Sequence, residues 1–123
     1  MKNLVFGLLA TLVIFFMACS GGKRSGDPKI LVFSKTAGYT HKSIPDGIAA
    51  IEKLGAENGF TVDTTKNAAL FTEDNLAQYA AIVFLSTTGN VLNNNQEAVF
   101  ERYIQSGGAF VGCLLYTSDA ADE

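Results

Sequence analysis

KILVFSKTAGYTH, residues 29–41, is a short apolar run that breaks off into a polar loop. Ile30, Leu31, Val32 and Phe33 follow one another without alternation, the pattern of a parallel strand buried on both faces. Ligands of open α/β sheets sit beyond the carboxyl ends of the strands. The stretch Ser34 to His41, which holds the chain's only histidine, is therefore where a site is expected.

Working outward, Ser43 is placed to cap a helix with Pro45 in its first turn. Ile44, Ile48, Ile51 and Gly55 recur at helical spacing, and Gly59 closes the element. FTVDT, Phe60 to Thr64, alternates and predicts a second strand. Thr72, Glu73 and Asp74 start a short helical turn through Leu76, and AAIVFL, Ala80 to Leu85, predicts a buried third strand. A helix is expected from Asn94 to Gln105, capped by Asn93, with Val99, Phe100, Tyr103 and Ile104 on its apolar face. Gly107 and Gly108 end it, and Ala109 to Val111 open a fourth strand. Strand, helix, strand, strand, helix, strand is the order of an α/β fold with a doubly wound parallel sheet.

Composition bounds the class of function. The 123 residues carry a formal net charge of -3, and the few Lys and Arg residues are scattered, so no nucleic-acid partner is expected. No cluster of His, Cys and carboxylate has metal-ligand spacing, so neither a metal nor a cofactor is expected. The two cysteines support no disulfide framework.

Residues 1–19 read as an export signal: Lys2, an apolar stretch from Leu4 to Met17, then Ala18 and Cys19. Phe16, Met17, Ala18 and Cys19 resemble a bacterial lipobox, which makes Cys19 the expected lipidation site, although Phe at the first position is looser than Leu. An ordinary secretory signal or an uncleaved anchor is the alternative. Residues 20–28, rich in Gly and Ser, form a flexible tether. The expected location is the cell envelope, periplasmic or outer-membrane, with the membrane as a partner through the lipid.

The candidate ligand-binding residues lie after the first and third strands. Tyr39 offers a ring face and a hydroxyl to a sugar. His41 can donate, accept or exchange a proton near neutral pH and is the one catalytic candidate, a lone loop histidine being otherwise a solvated surface residue. Thr87 and Thr88 can supply hydroxyls and Gly89 a backbone amide to an oxygen-rich ligand; the same residues also make an ordinary turn. Tyr79 and Tyr103 read as core or helix-face residues, and Asn93 to Asn95 as capping and surface.

SKTAGYTH, KSIPDGIAAIEKLGAENGFTVDTT, LAQYAAIVFLSTTGNVL and FERYIQSGGAFVG, in that order between Lys29 and Gly112, together resemble the trehalose-utilisation (ThuA-like) family. The resemblance implies a class I glutamine amidotransferase-like, flavodoxin-like fold, of which residues 29–112 would be the N-terminal portion. It also implies a role in catabolism of trehalose or related disaccharides through a reaction that is not defined. A non-catalytic carbohydrate-binding module on a lipoprotein is the alternative, because function lives in the site and not in the fold.

Gly107 to Cys113 resembles a strand rising into a nucleophile elbow. Cys113, however, begins CLLYTSDAADE, residues 113–123, which resembles one translated frame of a transposase-type sequencing adapter and is set aside from fold reasoning. Family members continue after the glycine with Ile-His, and no second histidine is present to serve as a base. Cys113 is accordingly rejected as a nucleophile. The lipobox reading has its own test: native protein takes up a fatty-acid label, Cys19→Ala does not, and label persisting in the variant would refute the assignment.

Overall fold

The computed structural model describes residues 26–115. The export signal and Cys19, most of the tether, and the last residues of the adapter-like stretch lie outside them. Four strands, β1 (Lys29–Phe33), β2 (Thr61–Thr65), β3 (Ala81–Leu85) and β4 (Ala109–Cys113), form one sheet in the order β2-β1-β3-β4. Every pairing is parallel. The helices α1 (Ile44–Asn58), α2 (Glu73–Leu76) and α3 (Asn94–Gln105) supply the connections, with a 3₁₀ turn at Ala68–Leu70.

The apolar runs divide by residue parity, because successive side chains of a strand point to opposite faces. Leu31 and Phe33 of β1 join Ile82 and Phe84 of β3 on one face, under Phe71, Leu76, Tyr79 and Tyr103. Val32, Val83 and Leu85 occupy the other face with Ile44, and Ile48 and Ile51 of α1 pack against them. The first core is aromatic. Phe33 is fully buried, with ring centroids 4.8 Å from Phe71 and 5.2 Å from Phe84, edge to face in both cases. Phe100 of α3 stacks on Phe84 at 5.2 Å. Offset and edge-on arrangements like these add about 0.5–1.5 kcal/mol per pair beyond area burial.

Three local expectations need correction. Ser43 occupies the position before α1 but its side chain makes no capping bond; its backbone is already helical, with φ -77° and ψ -6°. A capping side chain works from an extended backbone, which Ser43 lacks. The second strand begins at Thr61 rather than Phe60, because the Phe60 N–H returns to the Gly55 carbonyl at 3.1 Å and is spent on closing α1. Ile104 is 39% exposed while Tyr103 is buried, so the apolar face of α3 turns on Val99, Phe100 and Tyr103. Asn93 caps α3 as expected, and does so in a reciprocal box with Gln96; at α2 the Thr72 side chain accepts from Asn75 N.

Gly108 has a packing role that its position after a helix does not suggest. A Cβ there would stand 2.3 Å from the Tyr103 ring, so the ring lies flat against bare backbone. The Tyr103 hydroxyl donates to the Tyr79 carbonyl at 3.2 Å, tying α3 to the entry of β3. β4 is the less covered strand: all of its residues are exposed, Phe110 at 44% and Val111 at 50%.

A polar clamp spans the sheet at Asp63 of β2. Its Oδ2 accepts from the Tyr79 hydroxyl at 2.8 Å and meets Lys29 Nζ at 2.7 Å, while Lys29 also lies 5.5 Å over the Tyr79 ring. The hydrogen bond from Lys29, then that from the Tyr79 hydroxyl, and last the charge of Lys29 hold the Asp63 carboxyl below its ordinary 3.8. Burial first, and then Asp63, push the Tyr79 phenol up to about 12. The signs set two windows. Tyr79 binds its proton more tightly folded than unfolded, so its contribution is complete below the ordinary 10.0 and is lost as pH rises through about 12. Asp63 contributes above 3.8 and its contribution is lost as pH falls through the lower folded value. Tyr79→Phe is expected to cost about 1 kcal/mol at neutral pH, the worth of one hydrogen bond, and to flatten the alkaline loss of stability. Denaturant melts of both proteins between neutral and strongly alkaline pH check this, and an unchanged alkaline slope would exclude Tyr79 as its source.

Candidate functional site

Because β1 and β3 are adjacent and parallel, their following loops leave the same edge of the sheet side by side. The two loops are stitched together. Thr36 and Thr88 form an isolated parallel bridge, and Ala37 N donates to the Thr88 carbonyl at 2.8 Å. The Thr88 hydroxyl completes the seam by accepting from Gly38 N at 3.2 Å and donating to the Tyr39 carbonyl at 3.0 Å. Gly89 has φ +70°, and a Cβ on it would meet the Ala37 Cβ at 3.2 Å. Only glycine combines that backbone with that approach.

The seam holds up the loop that carries the aromatic candidates. Tyr39 is 67% exposed, and its ring meets that of His41 edge to face at 4.9 Å. A hydrogen bond between Thr36 Oγ1 and Thr40 Oγ1 at 2.8 Å braces the same loop. The His41 carbonyl then accepts from Ile44 N at 3.3 Å and leads the chain into α1. His41 opens on a groove of about 520 Å³ between the start of α1 and the residue following β2. Ile44, Pro45, Ile48 and Ala49 give that groove apolar walls; Glu52 and Lys66 add a carboxylate and an ammonium. Apolar walls with a few converging polar groups suit a small ligand that has both C–H faces and hydroxyls.

The sequence candidates thus separate by position. Tyr39 and His41 form one pair and His41 lines the groove. Thr88 and Gly89 lie in the seam, with the Thr88 hydroxyl engaged on backbone groups of the first loop. Thr87 is buried beside them. Cys113 ends β4, exposed, and its carbonyl accepts from Ser86 N at 2.8 Å. Among the described residues no group of three or more His, Cys, Asp or Glu is arranged to hold a metal.

Several residues at this edge escaped the sequence reading. Lys66 directly follows β2, and applying the carboxyl-end rule to the second strand, as to the first and third, would have found it. Glu52 carries no such signal; it reaches the groove only because α1 docks with that face outward. Ser34 and Ser86, the residues immediately after β1 and β3, are 2% and 3% exposed. A buried serine after each central strand is not what a polar loop suggests. Ser86 also has φ +51°, uncommon for a residue other than glycine.

Two comparisons place the chain among known proteins. The sequence model of the ThuA family, described as trehalose utilisation, matches residues 29–119. A crystal structure of a ThuA-like protein from Bacteroides uniformis superposes with a TM-score of 0.59 at 21% identity. That match covers 76% of this chain and 38% of the other, so the chain spans well under half the length of its structural relative. No curated protein matches.

If Thr88 holds the site loop in place, Thr88→Val should cost about 1–3 kcal/mol, the penalty for stranding a partly buried donor. The Gly38 amide should exchange with deuterium faster than in the wild type, relative to amides of β1. Undiminished protection of Gly38 in a folded Thr88→Val protein would show that the seam does not depend on the hydroxyl.

Proposed function

The chain belongs to the ThuA family of trehalose utilisation, and from that premise we propose that it handles a carbohydrate, a disaccharide of the trehalose type, at the His41 groove. The observation that carries this reading is the lining of the groove: apolar walls from α1 and the His41 ring, itself edge to face with Tyr39, with Glu52 and Lys66 able to exchange hydrogen bonds with hydroxyls. A sugar ring presents an apolar C–H face and a polar rim, and both find partners in such a lining. In this reading Tyr39 packs on the sugar ring. His41 binds a hydroxyl and, if the protein is an enzyme, moves its proton. The same proposal puts the domain on the cell envelope through a lipid on Cys19, with residues 20–28 as the tether.

Titration of the full chain with trehalose, followed by calorimetry, tests the binding step. His41→Ala and Tyr39→Ala should each weaken binding by about tenfold, equivalent to about 1.4 kcal/mol, with the melting temperature unchanged. Equal affinity in both variants and the wild type would remove this groove from carbohydrate binding. Turnover separates the enzyme from the binding module: disaccharide consumed by the wild type and spared by His41→Ala identifies chemistry, whereas binding without consumption identifies the module.

A further inference from the structure

A second cleft of about 470 Å³ opens at the same edge of the sheet, between the residues after β2 and the loop leading from β3 into α3. Its polar lining is Lys35, Lys66, Asn67, Asn90, Asn93 and Gln96, without a carboxylate. Two cations in a cleft of a chain whose net charge is -3 run against the charge of the whole.

Three of the amides sharpen the point, because local structure fixes which way they face. Asn67 Oδ1 accepts from Ala69 N at 3.0 Å. Asn93 Oδ1 accepts from Gln96 N at 3.0 Å, and Gln96 Oε1 accepts from Asn93 N at 2.9 Å. Each partner is a backbone N–H, so each amide must present its oxygen there and keep its NH₂ for something else. Lys35 gives one proton to the Val91 carbonyl at 3.1 Å and keeps two. Among the described residues Lys66 is in no ion pair. Three amides of the cleft therefore keep NH₂ donors for a ligand, beside the two charged donors Lys35 and Lys66, and Asn90 adds a fourth amide.

We propose that this cleft binds the oxyanion of an acidic small molecule, a phosphate or carboxylate group, separately from the carbohydrate groove. An oxyanion offers several acceptor lone pairs and no donor, the complement of this lining. A neutral polyol brings no charge to pair with Lys35 and Lys66.

The test uses amide-to-acid replacements that preserve the caps. Asn67→Asp and Asn93→Asp keep a side-chain oxygen for the backbone N–H, so folding should survive, but each replaces an NH₂ donor with a repelling carboxylate. The full chain is titrated with glucose 6-phosphate, glucuronate and glucose at low ionic strength, with inorganic phosphate as the sugar-free control. Both acidic sugars should bind at least about tenfold more tightly than glucose, and raised salt should weaken them. Asn93→Asp should lose about tenfold for the acidic probes at unchanged melting temperature. Asn93→Asp should leave trehalose binding as it is, so failure of the carbohydrate reading and failure of this one are distinguishable. Inorganic phosphate competing with glucose 6-phosphate assigns the cleft to the anionic group. Equal affinity for glucose and the acidic sugars, or undiminished acid binding in folded Asn93→Asp, would overturn the proposal.

Discussion

Everything in this structure hangs on β1 having a parallel neighbour on each side. Lys29–Phe33 pairs with β2 along one edge and with β3 along the other, so its backbone is satisfied without water. Leu31, Val32 and Phe33 can then be buried at 1% exposure or less on opposite faces of the sheet. A strand buried on both faces needs cover on both. α1 supplies it over Val32, Val83 and Leu85, while α2, α3 and the Phe71 segment supply it over Leu31, Phe33, Ile82 and Phe84.

The same arrangement makes the candidate site. The connections from β1 and β3 leave one edge together and then diverge, one into α1 and the other into α3. Their first residues cannot avoid each other, and the Thr36–Thr88 bridge, the Thr88 hydroxyl and Gly89 turn that proximity into a fixed seam. Openings then lie to either side of Lys66, which lines both: a groove against α1 with apolar walls and His41, and a cleft toward α3 lined by two lysines and four side-chain amides. The two differ in chemistry because one is lined by a helix flank and the other by helix-capping residues. Capping ties up amide oxygens and leaves amide nitrogens over.

The two core strands and the long helices were legible because their signals are local. Ile30 to Phe33 and Ala81 to Leu85 are unbroken apolar runs, which is what burial on both faces demands. Asn93 stands as a capping residue just ahead of an apolar stripe. Misreadings arose where one backbone group had two possible uses. The Phe60 N–H could begin a strand or close a helix, and it closes the helix. Ile104 and Tyr103 are neighbours that both suit an apolar face; the bare backbone at Gly108 gives the buried place to Tyr103.

The loop after β1 could be located from the chain alone, since an apolar run of strand length must end somewhere and its carboxyl end is where ligands gather. Tyr39 and His41 follow from that, and the run of motifs from Lys29 to Gly112 indicated the family. Glu52, Lys66, and the burial of Ser34, Ser86 and Thr87 did not follow, because they depend on elements far apart in sequence meeting at one edge. Nor could Thr88 be told from Thr87 as a residue spent on backbone bonds, since a hydroxyl is donor and acceptor alike until folding supplies its neighbours. Patterns along a chain report which faces seek burial; which polar groups remain free for a ligand depends on the partners that packing has already given them.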